Sequence, residues 1–320
     1  MTPAVLAGGH RTTLTVGTFD GLHLGHQQVL AEIASRARRA GRTSALVTFE
    51  PHPLQVIAPE RAPGLLTTRA ERRLLWPLFG LDAVVVLPFT AALRELSAEA
   101  FVRQILVAQL DVAELVMGSD HGFGRDRRGD AGMLRALGAA LGFDVTVVAP
   151  VLDDGAGVSS TRIREAVSRA DLHTAGRALG RPYAVLGEVV PGAGRGRAIG
   201  FPTANVRVDD PSKCLPPIGV YAVRAEVDGV LHDGMAHFGP RPTFGEPDRA
   251  LEVHLFEWPD EPLYGVALRV ELISRLRATR RFKDAEDLAR QLGEDRSATR
   301  AALSGGALPA ALTTGHSGHS

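Results

Sequence analysis

Two histidines three residues apart, His23 and His26, stand in the string Gly17-Thr18-Phe19-Asp20-Gly21-Leu22-His23-Leu24-Gly25-His26. Glycines at 17, 21 and 25 let the backbone turn tightly and come close to a ligand. The string follows a β-prone run, Thr12–Val16, and opens a stretch with helical spacing. That spacing puts Val29, Leu30, Ile33 and Ala37 on one face. A helix start offers unpaired N–H groups and the positive end of a dipole, which suit phosphate. Imidazoles placed there can donate to charge building on a transferring phosphoryl group. An HxGH alone is as often a surface turn, so the weight lies on the whole string.

Other segments carry weaker chemistry of the same kind. Ser159-Ser160-Thr161-Arg162-Ile163-Arg164 puts hydroxyls and guanidinium groups at a helix start. Hydroxyls there cap the helix or bind phosphate oxygens, and arginine clamps phosphates bidentately. Read alone, this hexamer is an ordinary N-cap with solvated arginines. Leu186 to Asn205 runs from a strand into a loop with glycines at 192, 194, 196 and 200. Bare N–H groups in such a loop can cover phosphates, although it matches neither a Walker loop nor a dinucleotide fingerprint. On Leu251-Glu252-Val253-His254-Leu255, strand alternation puts Glu252 and His254 on one face and the apolar residues on the other. In isolation Glu252 reads as a solvated strand carboxylate, and His254 has no assignable role.

The elements that must hold these residues fall into two halves. In the first, strands are expected at Thr12–Val16, Ser44–Phe49, Ala83–Leu87, Glu114–Met117 and Asp144–Val148. Helices are expected at His26–Arg39, Ser97–Gln109 and Met133–Leu141. This alternation predicts an open parallel sheet with helices on both faces, binding ligands at the strands' carboxyl ends. Helices at Ser159–Ser168 and Asp171–Leu179 follow, and Gly180-Arg181-Pro182 breaks the pattern. Close-spaced runs at Ala184–Val190, Gly219–Val227, Met235–Phe238, Leu251–Trp258 and Val266–Ile273 then predict an antiparallel barrel or sandwich. Asp284 caps a last helix to about Leu303, with a break expected near Gly293.

Bulk properties agree with two domains. The chain has 320 residues, 45% hydrophobic and 22% charged, against roughly 100–200 residues per domain. Boundaries are drawn at 1–180, 181–303 and a Gly/Ser/Thr-rich tail, 304–320, expected to be disordered. Lys+Arg and Asp+Glu balance at 36 each, which disfavours a general nucleic-acid binder. A single cysteine, Cys214, excludes a disulfide framework and a cysteine zinc site. No signal peptide and no run of roughly 18 apolar residues is seen, so the reading is cytoplasmic, without membrane partners.

The first string resembles the nucleotidyltransferase superfamily signature, in which two histidines hold nucleotide phosphates. It is joined by Phe49-Glu50-Pro51-His52-Pro53, by Gly118-Ser119-Asp120-His121-Gly122-Phe123-Gly124, and by the segment starting at Ser159. In this order the four segments resemble the adenylyltransferase module of the bacterial bifunctional riboflavin kinase/FAD synthetases. Gly-Arg-Ala-Ile-Gly-Phe-Pro-Thr-Ala-Asn (residues 196–205) is similar to the riboflavin kinase Pro-Thr-Ala-Asn motif. Gly219-Val220-Tyr221-Ala222, Arg241-Pro242-Thr243-Phe244, Leu263-Tyr264-Gly265 and Leu276-Arg277…Arg281-Phe282 also match, so the likeness covers residues 13–302. The chain has His121 where the family usually has Phe, and His237-Phe238-Gly239 where Asn-Ile-Gly is common. It has Thr279-Arg280 where an acidic residue is frequent.

The resemblance implies an HxGH-type α/β nucleotidyltransferase domain, then a small β-barrel kinase domain with a C-terminal helix. It implies two reactions: riboflavin is phosphorylated by ATP to FMN, and FMN is adenylylated by ATP to FAD with release of pyrophosphate. Glu252, His23, His26 and Arg164 would be catalytic. Gly17, Phe19, Gly25, Ser159, Ser160, Thr161, Arg162, Gly192, Gly200, Pro202, Thr203 and Asn205 would bind ATP and its phosphates. Asp120, Phe123 and Arg277 would meet the flavin. Thr203 and Asn205 would hold Mg²⁺, with Mn²⁺ an alternative. The partners implied are riboflavin, FMN and ATP, and the oligomeric state stays open. Two other readings are a chain retaining only the kinase activity, by way of His121, and an inactive flavin-binding regulator.

Overall fold

The β-branched and apolar runs of the first half become strands in a computed structural model that describes residues 11–119, 130–192, 196–208, 210–240, 249–259 and 263–305. In chain order the elements are β1 (Thr12–Val16), α1 (Leu24–Ala40), β2 (Thr43–Glu50), α2 (Pro53–Ile57), α3 (Arg69–Leu75), β3 (Ala83–Pro88), α4 (Ala91–Glu95) and α5 (Ala98–Phe101). Next come β4 (Val112–Gly118), α6 (Ala131–Leu141), β5 (Asp144–Val148), β6 (Leu152–Asp153), β7 (Ala156–Gly157), α7 (Ser160–Ser168) and α8 (Leu172–Leu179). The remainder is β8 (Tyr183–Val190), β9 (Ala204–Arg207), β10 (Gly219–Val227), β11 (Val230–Pro240), β12 (Arg249–Leu255), β13 (Ala267–Arg277) and α9 (Ala285–Ser304). The chain divides into two compact units, Met1–Pro63 with Arg72–Ser159, and Gly64–Glu71 with Ser160–Ser320. The stretches Gly64–Glu71 and 160–180 therefore fall with the second unit, where the sequence reading drew one boundary at 180.

The first unit holds a five-stranded parallel sheet in the order β3-β2-β1-β4-β5. The chain runs outward from β1 to β3, then returns to β4 beside β1. The strand order reverses there, and ligands bind at such a point, beyond the carboxyl ends of the strands. One face packs Leu14, Val16, Val47, Val85, Leu115 and Met117 against Phe101, Val102 and Leu106. The other packs Leu46 and Val116 against Leu22, Leu30 and Ile33 of α1 and the segment before it. The helix expected over Ser97–Gln109 is α5 followed by widened π-helical turns, Val102–Val107. Those turns keep Val102, Leu106 and Leu110 in the core.

The second unit holds a closed barrel in the order β10-β11-β12-β9-β8-β13. Its antiparallel pairing is the barrel expected from the close-spaced runs. Several details differ from the sequence reading, among them β13, which runs on to Arg277 past the expected end at Ile273. β11 is longer than Met235–Phe238, because Asp228 and Gly229, with φ 50° and 79°, close a tight hairpin with β10. β12 stops at Leu255, where the chain turns through Glu257 at φ 57°. β9 forms inside what read as loop. α9 runs unbroken through Gly293 because Asp295, Thr299 and Leu303 are buried, which offsets a glycine cost of about 1 kcal/mol.

Candidate active sites

The loop after β1 reaches the sheet's binding edge in a strained form. Phe19 and Leu22 take φ 48° and 46°, left-handed values that cost non-glycine residues energy and concentrate at functional sites. His23 is the N-cap of α1, and its Nδ1 accepts the His26 N–H at 3.3 Å. That bond leaves the ring proton of neutral His23 on Nε2, as a donor. The rings of His23 and His26 stack with centroids 3.6 Å apart, and Phe19 lies 4.6 Å from His26. A Cβ at Gly25 would lie 3.2 Å from the His23 ring, so the close packing depends on glycine there. Gly17 N–H donates to the Val47 carbonyl and ties the loop to β2.

Sequence reasoning missed Arg72, on α3. It is 5% exposed, donates to the Thr18 carbonyl at 3.4 Å and pairs with Glu50 at 3.3 Å. A buried guanidinium thus braces the glycine-rich loop against the end of β2; no local motif marks it. In the Phe-Glu-Pro-His-Pro segment, Phe49 enters the core and His52 caps α2, accepting the Leu54 N–H at 3.2 Å. Asp120, His121 and Phe123, which follow β4, lie outside the described residues. Ser159 closes the first unit. Ser160, Thr161, Arg162 and Arg164 occupy α7 of the second, where Arg164 Nε donates to the Gly64 carbonyl at 2.7 Å.

In the barrel, register brings the second set together. Asn205 on β9 pairs with Glu252 on β12, and Glu252 pairs with His237 on β11. Their neighbours Val206, Leu251, Val253, Ala236 and Phe238 are buried, so this row lies on the face away from the core. His254, without a role in the sequence reading, donates from Nδ1 to the Pro202 carbonyl at 2.7 Å, because a carbonyl only accepts. It holds the Pro202-Thr203-Ala204-Asn205 run to β12. Burial lowers the pKa of His254, against the bond to Pro202. A side chain at Gly192 would strike the Asn205 amide, and Gly200 takes φ 79°.

Arg277 at the end of β13 makes a bidentate pair with Asp295 of α9, at 2.8 and 2.7 Å, and its guanidinium lies 5.7 Å from the Phe282 ring. Asp295 is 3% exposed. Among the described residues, no group of three or more His, Cys, Asp or Glu could hold a metal. The Thr203 hydroxyl and the Asn205 amide oxygen, beside a glycine cradle, fit a hard cation that takes its other ligands from phosphate and water.

A family described as FAD synthetase matches residues 7–162, and one described as riboflavin kinase matches residues 179–303. The bifunctional riboflavin kinase/FMN adenylyltransferase of Pseudomonas fluorescens is 41% identical over 288 residues, covering 90% of this chain and 91% of that one. This chain belongs to the bifunctional riboflavin kinase/FMN adenylyltransferase family. The Bacillus subtilis member is 35% identical over 291 residues, covering 89% of this chain and 90% of that one. A crystal structure described as a macrolide-efflux protein from Streptococcus pneumoniae superposes with a TM-score of 0.80 at 30% identity. It covers 92% of this chain and 95% of that one. Among the described residues no helix is long and apolar enough to cross a membrane. In this member of the family, His23 and His26 fall in the FAD synthetase stretch and Glu252 in the riboflavin kinase stretch.

Proposed function

We infer that this chain phosphorylates riboflavin to FMN with ATP and adenylylates FMN to FAD with a second ATP. The observation that supports the reading is that each family stretch holds a residue set whose chemistry suits phosphate: the capped imidazole pair at α1, and the Asn205–Glu252 row on the barrel. We assign adenylylation to 1–180 and kinase activity to 181–303.

In the kinase site, Glu252 takes the proton of the riboflavin 5′-hydroxyl as that oxygen attacks the γ-phosphorus; ADP leaves. A neutral hydroxyl gains from a positioned base. Thr203 and Asn205 would hold Mg²⁺, which neutralises phosphate charge when bound. His254 fixes the run that presents them. In the adenylylation site the FMN phosphate is already ionised, so no base is required, and pyrophosphate leaves as the phosphate attacks the α-phosphorus. His23 donates from Nε2, His26 stands beside it, and the N–H groups opening α1 face the same charge. Gly17, Phe19 and Gly25 shape the loop. Ser159, Ser160, Thr161, Arg162 and Arg164 are assigned to the triphosphate, Gly192, Gly200 and Pro202 to the kinase phosphate loop, and Asp120, Phe123 and Arg277 to the flavin.

Incubation with riboflavin, ATP and Mg²⁺, resolved by chromatography over time, should show FMN first and FAD later. FMN without FAD, even from supplied FMN, would reduce the chain to a kinase.

A further inference from the structure

His237 on β11 and Thr279, two residues past the end of β13, meet in space. His237 Nε2 and Thr279 Oγ1 lie 3.1 Å apart, across a sequence separation of 42 residues. His237 pairs in register with Glu252 on β12 and with Val220 on β10, and Val220 pairs in turn with Arg277 on β13. The direction of the ring is fixed. A Cβ at Gly239 would lie 2.5 Å from His237 Cε1 and 2.9 Å from Nε2, so the imidazole runs along β11 over that glycine. Thr279 meets its tip.

The chain leaves the barrel at Arg277 and returns at Asp284, the cap of α9. Its start is anchored by the Arg277–Asp295 pair, and Gln291 also donates to Asp295, at 3.0 Å. Between those anchors Ala278, Thr279 and Arg280 are exposed, and the His237 bond ties this exposed stretch to β11. An alcohol substrate whose hydroxyl meets Glu252 must lie along the outer face of β12 and β11. His237 and Thr279 border that face.

We propose that His237 is a positioning residue of the kinase site: through Thr279 it latches the 278–283 segment beside Glu252 and fixes the wall against which riboflavin lies. This rests on Glu252 being the base for riboflavin phosphorylation. The latch acts on the acceptor and not on ATP, whose phosphates are assigned to the opposite side of Glu252, at β9.

Steady-state kinase assays on Thr279→Val, Thr279→Ser, His237→Ala and the double variant His237→Ala/Thr279→Val test it. One lost hydrogen bond should raise the riboflavin KM about 3- to 10-fold in Thr279→Val and His237→Ala. kcat and the ATP KM should stay within about twofold, the scatter expected where no interaction is lost. Thr279→Ser keeps the hydroxyl and should keep the wild-type KM. The double variant should be no worse than His237→Ala, because both remove one interaction. FAD formation from supplied FMN serves as the fold control and should not change. An unchanged riboflavin KM in Thr279→Val, or single effects that add in the double variant, would overturn the latch. If the wild type makes no FMN, the functional reading fails by itself. Riboflavin titration by flavin fluorescence with ADP and Mg²⁺ then reads the latch directly, with weaker binding in Thr279→Val supporting it and unchanged binding overturning it.

Discussion

At the scale of single residues, the two sites ask different things of their side chains. Glu252, the base we propose, pairs in register with Asn205 and His237. Glu252→Gln keeps the shape and removes the basicity. It should lower FMN formation by about 10²–10⁴-fold and leave FAD formation from supplied FMN intact. Equal loss of both activities would sink the assignment of separate sites. His23 would do two jobs: its Nδ1 caps α1, and its Nε2 carries the remaining ring proton as the donor we propose. Asparagine is a good N-cap, so His23→Asn should keep the helix and lose the donor at the Nε2 position, which its shorter amide does not reach. FAD formation should fall about 10²–10³-fold, the range seen when one charge-stabilising donor is removed, with the melting temperature little changed. His23→Ala should lose activity and, in addition, about 1 kcal/mol of stability. If His23→Asn kept full activity, the imidazole would be a cap only.

At the scale of elements, the glycine at 192 decides whether the Asn205 amide keeps its place. Gly192 is exposed and its missing side chain makes room for the Asn205 amide. Because the amide is the end of a side chain, Gly192→Ala should displace it without unfolding the barrel. The expected result is a kinase rate lowered at least about tenfold, the scale of one lost hydrogen bond to a charged group, with FAD formation unaffected; an unchanged kinase rate would remove Gly192 from the site. Most elements of the first unit were legible in the sequence. β1 and β5 match their expected bounds, and β2, β3 and β4 differ by a residue or two at their ends, because buried parallel strands read as apolar runs. The HxGH turn was legible because strand, glycines and helix adjoin in sequence. Arg72, the His254–Pro202 bond and the Gly192–Asn205 contact were not, since each depends on residues 13 to 54 positions apart brought together by tertiary packing. β9 was hidden by the glycines before it. Thr68-Arg69-Ala70-Glu71 was readable in principle as a capping box opening α3, with Thr68 and Glu71 bonding each other's N–H at 3.2 and 2.8 Å. Nothing in that tetrapeptide shows where the carboxylate goes next.

At the scale of the whole molecule, that carboxylate governs what a cut at residue 181 would do. Glu71 accepts the Leu186 N–H on β8 at 2.9 Å and pairs with Lys213 at 2.7 Å. The Lys213 side chain is 1% exposed, and its ammonium also donates to the Leu66 and Ala184 carbonyls, each at 2.8 Å. Arg181 is buried too; burial and Arg269 push its guanidinium down to about 10, while Glu71 and Glu271 pull the other way. A fragment spanning 181–303 would keep both buried cations and lose Glu71 and the Leu66 carbonyl. Breaking a buried pair by removing one partner costs about 3–5 kcal/mol, out of roughly 5–15 for a whole domain. The isolated barrel should therefore unfold at distinctly lower denaturant than the same barrel in the full chain. Lys213→Met should then act with opposite signs: it strands Glu71 and destabilises the full chain, but relieves the fragment of an unpaired buried charge and stabilises it. Trp258 is the only tryptophan in the fragment and, with Trp76→Phe, in the full chain, so its fluorescence during denaturant unfolding reports both. The same sign of change in both contexts would mean that Glu71 is not what holds Lys213 in the core.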